Sequence, residues 1–232
     1  MGKLSELKGV EKPATEWLSK MGWNFHANDD LKVYNRPFSK PIIESILIEK
    51  TAKINSISVA VGKQAVDNLL QLLNNPTPIL GNELFLEKLA SHVTLSVDKD
   101  DIDIHFIDFD NIWNNSFIVT NQYWVQGNKM VKTDIVLLVN GVPLVPIEAK
   151  QRARKGTNWM EGVVQFSTYE QRADNLFMCH TFGVACNGRI AKYGIPGASS
   201  SYFNEWKSTV LETSQPNPIL SPLRKPNLQL NV

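Results

Sequence analysis

No stretch of eighteen apolar residues occurs in the 232-residue sequence, and the opening Met1-Gly2-Lys3-Leu4 lacks an apolar signal core. Nothing in the sequence therefore places the chain in or across a membrane, and a cytoplasmic address is expected. Cysteine is scarce: Cys179 and Cys186 both lie in apolar surroundings and read as small core residues, not as a disulfide or a metal pair. Charge of one sign is also lacking. With a formal net charge of +1, any contact with nucleic acid must come from a local basic patch and not from the overall balance. A Gly-x-x-x-x-Gly-Lys-Ser/Thr phosphate loop is missing too, which excludes a motor of that type within these residues. What is present, 43% hydrophobic and 20% charged residues, describes a globular chain long enough for one substantial core.

The most informative stretch runs from Asp134 to Lys150. Two apolar runs, Ile135 to Val139 and Val142 to Ile147, flank Asn140-Gly141. That dipeptide favours a tight antiparallel hairpin because both residues tolerate positive φ. Such a hairpin carries Asp134 back beside Glu148 and Lys150. Strand alternation then puts Glu148 and Lys150 on one face and Ala149 on the other. Two carboxylates at one point are costly unless something positive sits between them, and a divalent metal with oxygen ligands, Asp134, Glu148 and the Ala149 carbonyl, answers that cost. Lys150 could orient a water or stabilise charge on a phosphate. The competing reading is an ordinary hairpin whose charges are solvated at its exit. A strict two-residue turn would set Asp134 opposite Ile147, so the metal reading predicts a bulge or widened turn between Val142 and Pro146. Directly after the hairpin, Lys150, Arg152, Arg154 and Lys155 form either a solvated loop or a phosphate-contacting patch.

Elsewhere, Val10, Ala14, Trp17, Leu18 and Met21 recur at helical spacing over residues 10–22. Glu11 on the first turn is either a further acid of the site or a carboxylate favoured at a helix N-terminus. Pro41 to Lys50 is compatible with helix or strand. Gln64 to Leu73 and Glu83 to Ala90 read as short helices. Ile102, Ile104 and Phe106 alternate with Asp101, Asp103 and His105 as in a half-exposed strand. A calcium loop fails there, because the position eleven after Asp98 is Phe109 and not Glu. Ser116 to Val125 makes a three-stranded meander with the hairpin. Asn158 to Asn175 reads as a helix with Asn158 as cap, Glu161 completing a capping box, and Val164 and Thr168 inward. Asn187-Gly188 suggests a second hairpin, and the proline-rich stretch from Ser214 to Val232 is linker-like.

Several of these segments, Glu11 to Trp23, Asn121-Gln122, Thr133 to Lys150, Gln165 to Tyr169 and Asn187-Gly188, together make the chain similar to the N-terminal nuclease domain of the restriction (R) subunit of type I restriction-modification enzymes, within the PD-(D/E)xK nuclease superfamily. Thr133, where the family usually has proline, and the small Ala149 depart from its pattern, but neither position carries charge. The resemblance implies an α/β (α+β) restriction-endonuclease-like core, a mixed β-sheet with a central antiparallel hairpin flanked by helices. It implies a nuclease domain over residues 1–213, within which the helical patterning around 62–92 reads as a small insertion, and a tail over 214–232 leading to an ATP-dependent motor outside this chain, which would then be a fragment. It further implies that Asp134 and Glu148 ligate magnesium, with manganese as a substitute, and that Lys150 is the catalytic lysine. Gln165 and Tyr169 would form the associated Gln-x-x-x-Tyr motif, with Glu11 as the family's early glutamate. The expected substrate is double-stranded DNA. Modification and specificity subunits would be partners, and ATP would act only through the motor. Two other readings stand beside this one: a non-catalytic DNA-binding or subunit-docking module of the same fold, and a stand-alone nuclease of the superfamily.

Overall fold

The computed structural model describes residues 7–150 and 159–206. Asn140 and Gly141 take φ of +50° and +85°, values that few other residue pairs tolerate and that suit the right-handed twist of the flanking strands. Val139 and Val142 close the turn as the first pair. Around this hairpin, β5 (Met130–Val139) and β6 (Val142–Ala149), the rest of the chain is placed.

Strand β4 (Phe117–Gln126) pairs antiparallel with β5, completing the expected meander. The sheet extends through parallel pairs on both sides. β1 (Asn24–Ala27) lies parallel to β4, and β7 (Gly183–Cys186) parallel to β6. β8 (Ala191–Gly194) and the short β9 (Asn204–Glu205) continue antiparallel, giving a mixed seven-stranded sheet in the order β1-β4-β5-β6-β7-β8-β9. A separate two-stranded ribbon, β2 (Val93–Val97) with β3 (Asp100–Ile104), confirms the alternating Ile102 and Ile104 segment as a strand.

Helices cover both faces. On one, α1 (Lys12–Lys20) and the preceding π-helical turn Leu7–Glu11 bring Val10 and Leu18 onto Val119, Ile135, Ile147 and Ala149. The segment over 41–50 is helical: α2 (Glu44–Ile54) is followed by α3 (Val59–Gln71), whose start is capped by Ser58, and α4 (Pro78–Ala90). These three helices pack with the ribbon around Leu47, Leu69, Phe85, Leu89, Ile104 and Phe106.

The other face is covered by α5 (Trp159–Arg172) and the single turn α6 (Asp174–Phe177), which bring Tyr169 and Leu176 onto Ile118, Val136 and Leu138. Two expectations need correction here. The helix does not run unbroken to 175, because Ala173 leaves helical geometry with φ −147°. Its inner face is Trp159, Gly162, Val163 and Tyr169, whereas Val164 is 66% exposed and Thr168 bonds back to the Val164 carbonyl at 3.2 Å. The second hairpin is also corrected in detail. Only Gly188 takes positive φ, +77°, while Asn187 acts through its side-chain oxygen, which accepts from the N–H groups of Arg189 (3.1 Å) and Ile190 (3.0 Å). The Asn158 cap and the 214–232 tail lie outside the described residues. Among the described residues no helix is long and apolar enough to cross a membrane.

Candidate active site

The hairpin does not keep the register its turn sets. Val139 pairs with Val142 and Leu138 with Pro143, but Leu137 pairs with Val145, so Leu144 is an extra residue in β6. This is the bulge expected between Val142 and Pro146, and two neighbouring prolines, which donate nothing to a ladder, make it cheap. The Leu144 carbonyl is satisfied from outside the ladder: the backbone N–H and the hydroxyl of Thr181 donate to it at 2.8 and 3.0 Å. Beyond the bulge Ile135 pairs with Ile147. The next step sets Asp134 across from Glu148.

At that point the two carboxylates meet the Lys150 ammonium, whose Nζ lies 3.6 Å from Asp134 Oδ2 and 3.4 Å from Glu148 Oε2. The backbone holds this arrangement. The Ala149 N–H donates to Asp134 Oδ2 at 3.0 Å, and the Lys150 N–H donates to the Cys186 carbonyl at 2.8 Å, which ties the end of β6 to β7. Glu148 is fully buried. A Cβ on Gly162 would stand 3.1 Å from the Cβ atoms of both Glu148 and Ala185, so glycine here lets α5 lie directly on Glu148 without pushing it aside. Tyr169, on the same helix, donates its hydroxyl to Glu148 Oε1 and lies 3.3 Å from the Lys132 carbonyl.

Burial, and then the negative charge of Asp134, push the Glu148 carboxyl well above its ordinary range, while Lys150 and the Tyr169 hydroxyl pull the other way. Burial and the adjacent Glu148 likewise raise the Tyr169 phenol, which is therefore neutral around pH 7. Cys186, buried beside the pair, has its thiol pushed up to about 12, mostly by desolvation. Both cysteines are free and buried, as core residues should be.

Gln165 stands one turn before Tyr169 and is half-buried, and its Oε1 is shielded from solvent with no hydrogen-bond partner among the described residues. Glu11 ends the π-helical turn, is 5% exposed, and accepts a hydrogen bond from Gln122 Nε2 at 3.0 Å. It borders an open groove of about 540 Å³ lined also by Thr15, Phe25 and Asn121. Among the described residues, no three His, Cys, Asp or Glu side chains cluster closely enough to hold a metal by themselves. Arg152, Arg154 and Lys155 lie outside the described residues. The sequence reading used Gln122 only as part of the family resemblance and gave Lys132 no role, yet Lys132 Nζ donates to Gln122 Oε1 and so joins Glu11 to the strand that carries Asp134.

Residues 3–200 match the family model described as type I restriction enzyme R protein N terminus. The HindI type I restriction enzyme endonuclease subunit of Haemophilus influenzae is 23% identical over 85% of this chain and 20% of its own length. A putative type I endonuclease subunit of Methanocaldococcus jannaschii, MjaVIIIP, is 28% identical over 75% of this chain and 17% of its own. A type I endonuclease subunit of Staphylococcus aureus strain COL is 28% identical over 59% of this chain and 17% of its own. The chain thus spans about a fifth of the length of the curated relatives it matches.

Proposed function

The chain belongs to the family of type I restriction enzyme R protein N termini, and from that premise we propose that it is the DNA-cutting module of such a subunit, a magnesium-dependent endonuclease centred on Asp134, Glu148 and Lys150. The observation that carries this reading is the extra residue Leu144. Without it the hairpin would send Asp134 and Glu148 to opposite faces; with it the two carboxylates and one ammonium converge.

The donor set fits the ion. Magnesium is held by hard oxygen ligands, usually one or two carboxylates with waters, so the lack of a third clustered acid is no obstacle. A fully buried Glu148 facing Asp134 is costly to ionise, and a divalent cation offsets that cost. When bound, the ion would neutralise charge on the scissile phosphate and act as a Lewis acid. Asp134, Glu148 and the Ala149 carbonyl would hold it, with manganese able to substitute. Lys150 would place its ammonium against a phosphate oxygen or orient the attacking water. Tyr169 is held neutral and donates to Glu148, so it would fix that carboxylate and leave proton transfer to others. Gln165 Oε1, buried without a partner among the described residues, would accept from a water or a DNA group at the same edge. Glu11 would add negative charge nearby. Arg152, Arg154 and Lys155 would contact the backbone phosphates of double-stranded DNA.

Modification and specificity subunits would join through the longer subunit in the cytoplasm. ATP would be used only by a motor outside these 232 residues, where no phosphate loop occurs. The module alone would then cut weakly, since its formal net charge is only +1.

The test pairs binding with cleavage. Calorimetric titration with manganese should give clear binding to the wild-type chain and none to Asp134→Ala. Magnesium-dependent plasmid nicking, however weak, should fall by about 10²-fold or more in Lys150→Ala. Equal metal affinity in wild type and Asp134→Ala would overturn the proposal.

A further inference from the structure

Gln122 is the one residue inside a described strand, the hairpin turn apart, whose backbone takes left-handed geometry, with φ +54° in the middle of the ten-residue β4. Among non-glycine residues, Asn and Asp tolerate this region best; glutamine has no such preference. No residue is inserted there, because Asn121 pairs with Ile135 and Tyr123 with Thr133 in unchanged register. That register places Gln122 across from Asp134.

The strand alternation slips at this point. Before it, Ile118 faces the α5 side and Val119 the α1 side; after it, Tyr123 and Val125 face the α5 side, so odd positions have replaced even ones. The partner strand slips at the same place, with Val131 and then Val136 and Leu138 on the α5 side. The backbone therefore needs a residue that accepts positive φ, and glycine or asparagine would serve. The sequence instead holds a side chain one carbon longer than asparagine, and that reach is used twice. Nε2 donates to Glu11 Oε2 at 3.0 Å and Oε1 accepts from Lys132 Nζ. A neutral amide can donate to a carboxylate through its nitrogen and accept from an ammonium through its oxygen at once. The line continues to the centre, because the Lys132 carbonyl lies 3.3 Å from the Tyr169 hydroxyl, which donates to Glu148.

We propose that Gln122 is a positioning residue of the metal centre: it accepts an unfavourable backbone geometry in order to hold the Glu11 carboxylate beside the strand position of Asp134 and to couple it, through Lys132 and Tyr169, to Glu148. The inference rests on the metal-dependent reading above. It concerns how the centre is supported and not which residues bind the ion.

The test uses the full chain, manganese as the probe, and binding measured by calorimetry or by the loss of the free-ion electron paramagnetic resonance signal. Gln122→Gly removes the amide and suits the backbone; Gln122→Asn also suits the backbone but is too short to bridge both partners. Both variants should melt at or above the wild-type temperature and bind manganese about tenfold more weakly, the scale seen when groups behind metal ligands are lost. Glu11→Gln should weaken binding similarly, and the double variant Glu11→Gln with Gln122→Gly should be no weaker than the weaker single variant, because both act through one contact. Gln122→Glu keeps the length but sets a carboxylate against Glu11 and should also lose affinity. Wild-type affinity in both the Gly and Asn variants, or additive losses in the double variant, would overturn the proposal while leaving the Asp134 and Glu148 reading intact. A wild-type chain that binds no manganese would remove both.

Discussion

The central hairpin buries a polar side chain at each end, and the two are treated in opposite ways. At the turn, Asn140 is fully buried and matched by neutral groups: Oδ1 accepts from the Ser116 N–H at 2.7 Å, and Nδ2 donates to the Phe106 carbonyl and to Asn115 Oδ1, both at 2.8 Å. At the exit, Glu148 is equally buried, but among the described residues it faces a second carboxylate, Lys150 and the Tyr169 hydroxyl. Buried polarity that is neutral and matched stabilises a fold on its own. Buried like charges do not. One end of the hairpin is matched by neutral partners, and the other sets two acids against each other.

The contrast is sharpest at Asn140. Replacing it with alanine removes three hydrogen bonds and puts a residue without asparagine's tolerance at φ +50°. Denaturant unfolding should record a loss of about 3 kcal/mol, and a loss under about 1 kcal/mol would erase the distinction between the ends. At the exit the same experiment should change sign. Glu148→Gln removes the buried charge, so the metal-free variant should be more stable than wild type at pH 8 by on the order of 1 kcal/mol, although metal binding is lost.

The pH dependence follows from the direction of the Glu148 shift. A carboxyl raised in the folded state retains a proton that the unfolded chain releases above its ordinary value of 4.5. Its stabilising contribution is complete below that pH and is lost as pH rises towards the folded value. Melting temperatures of the metal-free wild type should therefore fall across that window relative to Glu148→Gln, and magnesium should flatten the difference. Parallel curves without metal would contradict the burial argument. The smallest effect belongs to Tyr169→Phe, which removes one hydrogen bond to Glu148 and should weaken manganese binding about threefold to tenfold. Unchanged binding would make Tyr169 a packing residue only.

Much of this hairpin was legible in the sequence because its determinants are local. Asn140-Gly141 dictates the turn, Pro143 and Pro146 mark where the ladder yields, and the need to bring Asp134 to Glu148 requires one extra residue between them. Gln165 and Tyr169 followed from helical spacing together with the family resemblance. What escaped depends on distant partners. The parallel pairs β1 with β4 and β6 with β7 join segments far apart in the chain, and no local pattern specifies them. The inner face of α5 is set by the close approach of Gly162 to Glu148, and apolar content pointed instead to Val164. Gln122 was invisible as a strained residue because glutamine carries no signal for positive φ, and its partners Glu11 and Lys132 are brought to it by tertiary structure.

The parallel pairing of β6 and β7 also sets a schedule. A parallel neighbour requires a crossover, and here the crossover carries α5, so Tyr169 comes to lie over Glu148 as the chain between the two strands is laid down. The Lys150 backbone is fixed by the Cys186 carbonyl, which belongs to the later strand. During synthesis, a chain that ends before Cys186 therefore has the hairpin and both carboxylates but lacks this anchor and the docked strand beside them. The two acids thus reach their final surroundings, the helix over Glu148 and the anchored Lys150 backbone, only with the last strand to dock against the hairpin.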